Sequence, residues 1–379
     1  MARHGQGAGG MIYLDYQATT PLAPEAFEAM TPWLRDHFAN PHSAHRPGRV
    51  AAAAVEVARD QVAALLPSSG RVVFTSGATE ALNIGLVGAA RMMRGRDPGR
   101  TRILLPDTEH AAVRDTALAL RAEGFEPVLL PVRPDGLLDL AVVQASLDAR
   151  AALLAVMLVN NEIGVIQPVD TLAKSAHDAG ALFLCDAVQG AGRVDLPVEA
   201  DMIAISAHKI HGPKGIGALW LRDGLEIPPL IHGGGQEGGL RSGTLSPALC
   251  AGFGVAARLM AERRADDAAH VTALSARAKE LFAGWTLNGS ADHRYPGNLN
   301  LRRDGLDAAR LMADCRDVAF SLGSACASGS GRPSHVLRAL GLSDAEARSS
   351  IRLGFGRTTT LDEIERAADA INRAADAQG

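Results

Sequence analysis

Hydrophobic positions fall into two patterns along the chain. Short continuous apolar runs, bounded by turn-forming residues, predict buried strands at Arg71–Ser76, Arg102–Leu105, Glu126–Leu130, Ala152–Val159, Leu182–Asp186 and Met202–Ile205. A shorter strand is expected at Ile12–Tyr16. Between these runs the apolar spacing is helical. Helices are expected from Pro24 to Phe38, over the alanine-rich Ala51–Leu66, and after Gly77. Strand and helix then alternate, which predicts an α/β fold: a mostly parallel sheet covered on both faces, with its ligand site at the carboxyl ends of the strands. After Thr244 the pattern changes to one long helix, Pro247 to Phe282, then shorter elements and an amphipathic helix, Leu361–Ala375. The expected division is an N-terminal segment 1–16 that joins a smaller unit, a large domain 17–260, and a small α+β domain 261–379.

Composition narrows the function classes. At 379 residues, 47% hydrophobic and 21% charged, the chain has the make-up of an ordinary globular enzyme. A net charge of −4 gives no reason to expect nucleic acid or a membrane surface as partner, and no apolar stretch is long enough to span a bilayer. The opening MARHGQGAGG lacks the apolar core of a signal peptide and is expected to be a loose terminus. Four cysteines (Cys185, Cys250, Cys315, Cys326) form no CxxC pair, so neither a zinc site nor a disulfide framework is expected. Reduced thiols in a cytoplasmic protein are the simplest reading.

Chemistry gathers where strands end. Lys209 follows the apolar run Met202–Ile205 on a loop leading into Gly212, Gly215 and Gly217. A desolvated lysine makes imines readily; the alternative is a lysine snorkelling at the sheet edge. In FTSGATE (Phe74–Glu80), free amides at a helix start plus Thr79 suit one phosphate group, or form a simple cap. Asp186 closes a strand, and a carboxylate there needs a cation: a protonated pyridine nitrogen, or an ordinary salt bridge. Gln189 follows three residues on. His110 begins a helix and could stack on an aromatic cofactor, or be satisfied locally. Asn160 and Asn161 close another strand and could orient a ligand or make a turn. Arg352, inside an apolar run, requires a carboxylate from protein or substrate. Cys326 lies among small residues in SLGSACASGSG, as a reactive or an incidental thiol. Pyridoxal 5′-phosphate (PLP) with an amino-acid substrate uses all of these groups, whereas the GxGxxG and P-loop patterns are absent.

The segments NPHSAHRPG, FTSGATEALN, TEHAAV, VNNEIGVIQP, SAHKIHGPKGIGAL, HGGGQEGGLRSGT, SLGSAC and SSIRLGFGR together resemble the cysteine desulfurases, class V, fold-type I PLP enzymes, in their NifS/IscS-like group I branch. The resemblance covers almost the whole chain. It implies a seven-stranded sheet, and that Lys209 bonds the cofactor and moves the Cα proton. His110 is implied to stack on the ring and Asp186 to pair with its nitrogen, while Gln189 contacts the ring oxygen. The phosphate is implied to fall to Ala78, Thr79, Ser206 and His208, with Thr244 reaching the phosphate of the other subunit in a homodimer. Asn161 and Arg352 would hold the carboxylate of L-cysteine, and Cys326 would take its sulfur as a persulfide. The acceptor implied is an iron–sulfur scaffold or sulfur-relay protein, serving cluster assembly or tRNA thiolation. Selenocysteine lyase or another class V aminotransferase relative is the alternative, and a non-catalytic sulfur relay is a third. No metal site is expected, apart from an open question of transient cluster ligation by Cys326. Gln236, where many relatives carry histidine, and Leu322 depart from the pattern. The short C-terminus lacks a tail with which many relatives dock a scaffold, which puts that partner in doubt.

Overall fold

The computed structural model describes residues 10–322 and 333–378. Its centre is a seven-stranded sheet in the order Gly70–Thr75, Gly217–Arg222, Met202–Ser206, Leu182–Asp186, Ala151–Met157, Arg102–Pro106, Glu126–Leu130. All neighbours are parallel except Gly217–Arg222, which runs antiparallel to both strands beside it. The six strands predicted for this sheet are therefore present with ends shifted by at most two residues.

Every residue of Ala151–Met157 and Met202–Ser206 is buried, which explains why these strands read as unbroken apolar runs. Helices cover both faces and divide the core in two. One side is built on Phe74, Phe183, Trp220 and Phe253, the other on Leu82, Ile84, Leu86, Leu105 and Leu219. Helix Ala78–Arg96 is buried nearly all along its length, wedged under the sheet, so its outward polarity is slight. Its N-terminus sits at the carboxyl end of Gly70–Thr75, which fixes where its unpaired amides point.

A separate four-stranded sheet, ordered Ser321–Leu322, Ser350–Gly354, Asn298–Arg302, Thr286–Leu287, carries a second core with Leu274, Leu299, Ile351, Leu353 and Ile371. Ile12 and Leu14 join that core, and strand Ile12–Tyr13 pairs in parallel with Val318–Ala319. It is shorter than the Ile12–Tyr16 run expected, because Asp15 leaves the ladder for a bridge to Gly354. The single long helix expected at 247–282 is two, Pro247–Glu262 and Arg264–Leu281. Arg263 breaks it at φ −103° and ψ 5°. No glycine or proline marks that break. Ion pairs to remote chain position the residues around it: Arg263 to Glu25 at 2.9 Å, Arg264 to Asp195 at 2.6 Å, and Asp267 to Arg357 at 2.6 Å. The first expected helix ends at Arg35 rather than Phe38, and NPHSAHRPG is loop only as far as His45, which caps a helix starting at Arg46.

Candidate active site

A cavity of about 660 Å³ opens at the carboxyl ends of the parallel strands. Ala78, Thr79, His110, Asn161, Asp186, Gln189, Ser206, His208, Lys209 and Arg352 all line it. Residues up to 335 positions apart in sequence, from Gln17 to Arg352, thus converge on one volume of the size that suits a small cofactor and substrate. Thr244 is exposed and does not line this cavity. Cys326 lies outside the described residues.

One end of the cavity gathers groups that could cradle an anion. Ala78 and Thr79 are the first residues of their helix, and they line the cavity together with Ser206 and His208. Gly217 makes the approach possible: a Cβ there would lie 2.7 Å from the Gly77 carbonyl carbon and 2.9 Å from the Ala78 nitrogen. Burial, followed by the charges of Lys209 and Lys214, lowers the His208 pKa to about 4. That ring is therefore neutral at physiological pH, with Nδ1 paired to Thr19 Oγ1 at 3.2 Å. The glycine-rich segment 233–243 is tied to the cradle by Arg241, whose guanidinium grips Glu80 at 2.6 Å, while Glu80 accepts the Ser76 amide.

Lys209 ends a single 3₁₀ turn after strand Met202–Ser206. Its ammonium donates to the carbonyls of Gln17 and Ala18, at 2.9 Å for the latter. Asp186 is buried, and its Oδ1 accepts the Val188 amide at 3.0 Å. Burial pushes its pKa up, opposed by His110, that amide and Lys209. His110 caps helix Ala111–Ala119: Nδ1 accepts the Ala112 amide at 3.0 Å. With Nδ1 an acceptor, a neutral ring carries its proton on Nε2. Gln189 is buried and donates to the Gln17 carbonyl at 2.9 Å. Of the two asparagines only Asn161 lines the cavity. Asn160 is the turn-former: its amide donates to Thr108 O, and its oxygen accepts from Glu162 and Ile163.

Arg352 arrives from the smaller sheet, not from a strand end of the large one. Its side chain is 1% exposed and held as a fork, with Asn161 O at 3.0 Å, Asp15 Oδ1 at 2.7 Å and Ser321 Oγ at 3.1 Å. Sequence reasoning foresaw a carboxylate partner but missed Asp15. It also missed Gln17, Ala18 and Thr19, which line the cavity: the first two accept from Lys209 through their backbone carbonyls, and Thr19 pairs with His208. The polar stretch QATT beside an apolar strand was the available signal. Three cysteines are buried, and burial raises all three thiol pKa values, Cys250 to about 12. Among the described residues, no cluster of three or more His, Cys, Asp or Glu could hold a metal ion, and no helix is long and apolar enough to cross a membrane.

An α/β enzyme fold with a helix N-terminus, a buried carboxylate and a half-buried lysine around one cavity is thus in place. A family model for aminotransferase class-V matches residues 12–367. The cysteine desulfurase IscS of Rickettsia bellii is 42% identical over 95% of this chain and 90% of its own length. A mitochondrial cysteine desulfurase of Arthroderma benhamiae is 43% identical over 95% of this chain and 73% of its own. Among solved structures, a NifS-like protein superposes with a TM-score of 0.88 at 30% identity, covering 96% of this chain and 98% of that one. A NifS-like protein from Rickettsia africae superposes at 0.86 and 28%, over 97% and 99%. The chain belongs to the cysteine desulfurases of the class-V aminotransferase family.

Proposed function

We propose that this enzyme is PLP-dependent and converts L-cysteine to L-alanine, passing the sulfur to Cys326 as a persulfide. The observation that carries the reading is the placement of Lys209, Asp186, His110 and Arg352 around one cavity with an anion cradle at its end. These residues fit PLP. Ala78, Thr79, Ser206 and His208 would hold its phosphate, Asp186 its ring nitrogen and Lys209 its aldehyde carbon. PLP supplies an electron sink that makes the substrate Cα proton removable.

The chain's own groups do the rest. Arg352, forked and buried, receives the substrate carboxylate, and Asn161 bounds that end of the cavity. Lys209 and His110 are the groups that accept and return protons, the first at Cα and the second at the substrate thiol. His110 suits this work because its Nδ1 is fixed by the helix start. Cys326 then takes the sulfur. The substrate Cβ–S bond breaks with its electron pair left on carbon, which gains a proton to become the alanine methyl group. The S–S bond forms on the cysteine thiolate, which is thereby oxidised, so no outside oxidant is needed. The buried, raised thiols of Cys185, Cys250 and Cys315 favour Cys326 for this role.

The reading includes a homodimer in which Thr244, exposed and outside its own cavity, completes the phosphate site of a second copy. It takes 17–260 as the cofactor domain and 261–379 as the domain bearing the cysteine loop, joined by 1–16; the separate core around Leu299 and Ile351 supports this. The location is cytoplasmic and the acceptor is an iron–sulfur scaffold or sulfur-relay protein. The test is product analysis from L-cysteine with a thiol reductant. Equimolar alanine and sulfide from a yellow protein, both lost in Cys326→Ala with the colour retained, is the expected result. Full activity in Cys326→Ala refutes the nucleophile assignment. Consumption of L-selenocysteine but not L-cysteine moves the substrate to selenium, and a protein that cannot be loaded with PLP overturns the whole reading.

A further inference from the structure

Glu109, next to His110, is a buried acid that the chemistry above leaves unused. It is 1% exposed. One carboxyl oxygen, Oε1, accepts the Met157 amide at 2.7 Å; the other, Oε2, is fully buried with no hydrogen-bond partner among the described residues. Met157 lies on the strand beside Leu182–Asp186 and is the register partner of Asp186. Glu109 therefore reaches the sheet one strand away from the carboxylate that faces the cavity. On the backbone, its carbonyl receives His335 Nε2 at 2.9 Å and its amide donates to the Pro106 carbonyl at 3.2 Å.

The surroundings offer an ionised Glu109 no compensation. The titratable groups around it are Asp186 and Cys185 on the neighbouring strand, His110 beside it, and His335 at its carbonyl. Desolvation and the Asp186 charge both push its pKa up, and a single amide opposes them. An ionised carboxylate oxygen buried without a partner is far costlier than a neutral hydroxyl in the same place. Asp186 lines the cavity and has His110 and Lys209 to favour its charged form, so it is the carboxyl that keeps the charge, and that charge disfavours ionisation of Glu109.

We propose that Glu109 is a positioning residue that holds a proton throughout the working pH range, leaving the one negative charge of the pair on Asp186 and pinning the start of the His110 helix to strand Ala151–Met157. Its role toward the cofactor rests on the reading of Asp186 as the ring-nitrogen partner. Its protonation does not, and is measured separately.

The experiment is infrared spectroscopy of the holoenzyme, and separately of cofactor-stripped protein, near neutral pH, each as the difference between light and heavy water. The C=O stretch of a protonated carboxylic acid is expected in the wild type, lost in Glu109→Gln, and shifted by deuterium. Absence of that band, or its loss in Asp186→Asn with persistence in Glu109→Gln, overturns the proposal. On the holoenzyme, Glu109→Gln, a neutral isostere that still accepts the Met157 amide, should leave the pH titration of the cofactor absorbance unchanged. Glu109→Ala, which releases the helix start, should lower kcat by up to about 100-fold. A titration displaced in Glu109→Gln shows that the wild-type side chain carried charge, and refutes the assignment. An acid band on Glu109 in a protein that cannot be loaded with PLP would sink the cofactor reading alone.

Discussion

Gly217→Ala tests the anion cradle with one methyl group. Gly217 sits between two strands, opposite Thr75 on one side and Ser206 on the other. A Cβ there meets only backbone: the Gly77 carbonyl carbon and the Ile205 oxygen, each at 2.7 Å, and the Ala78 nitrogen at 2.9 Å. Ordinary contact begins at 3.4 Å, and no flexible side chain can yield. The helix start must therefore back away by about 0.5–1 Å, at a cost of about 1–3 kcal/mol for overpacking. The central strand Met202–Ser206 is buried throughout and cannot move, so the displacement falls on Gly77 and Ala78. Hydrogen bonds from the helix amides lengthen with it. If the cost is expressed in phosphate binding, PLP affinity falls by roughly 5- to 150-fold. The assay is absorbance titration of stripped protein with PLP, with thermal unfolding of the stripped form measured alongside. Unchanged PLP affinity together with a lowered unfolding midpoint would show that the methyl group was taken up elsewhere than at the helix start, and would refute the displacement of Gly77 and Ala78.

Arg352→Lys should raise the KM for L-cysteine by about 10- to 100-fold and leave the cofactor spectrum alone, because an ammonium cannot replace the guanidinium fork; an unchanged KM removes Arg352 from carboxylate binding. Glu237→Ala strips the acceptor from Arg59, 2.8 Å away, and from the buried Phe74 amide at 2.7 Å, and should cost about 3 kcal/mol in chemical denaturation. A loss below about 1 kcal/mol would make that pair no better than a surface one. His211 is buried and its pKa is lowered to about 4 by burial, with Arg357 and Arg193 adding to it. Unfolded, the ring takes a proton below about pH 6.5; folded, it stays neutral until about pH 4, so about 3 kcal/mol of stability present above pH 6.5 is lost between those values. His211→Asn, which tolerates the local φ of 66°, should flatten the pH dependence of stability over that window, and equal slopes would refute the linkage.

How much was legible in the sequence depends on how local the cause was. The strands of the large sheet were readable because central parallel strands are dry on both faces, and an unbroken apolar run such as LLAV at 153–156 leaves few other options. The helix break at Arg263 was not, because it is held by Glu25, Asp195 and Arg357 from distant chain rather than by any glycine or proline. The site divides the same way. His110, Asp186, Ser206 and Lys209 could be picked out because polar side chains at the ends of apolar strands stand out against their own neighbours.

The sequence by itself determined the α/β alternation, the strand ends at which chemistry collects, and the residue types on hand for an imine, a pyridinium, a phosphate and a carboxylate. Each follows from hydrophobic period and local turn chemistry, which act over a few residues. Only the tertiary structure decided that Arg352 reaches the cavity from a second sheet with Asp15 and Ser321 as its brace, that Gln17 and Ala18 cradle Lys209, and that Glu109 is buried one strand from Asp186 with one oxygen on the Met157 amide and the other without a partner among the described residues. Those relations join segments far apart in the chain. They are fixed by sheet order and packing of the two cores, and no local pattern encodes them.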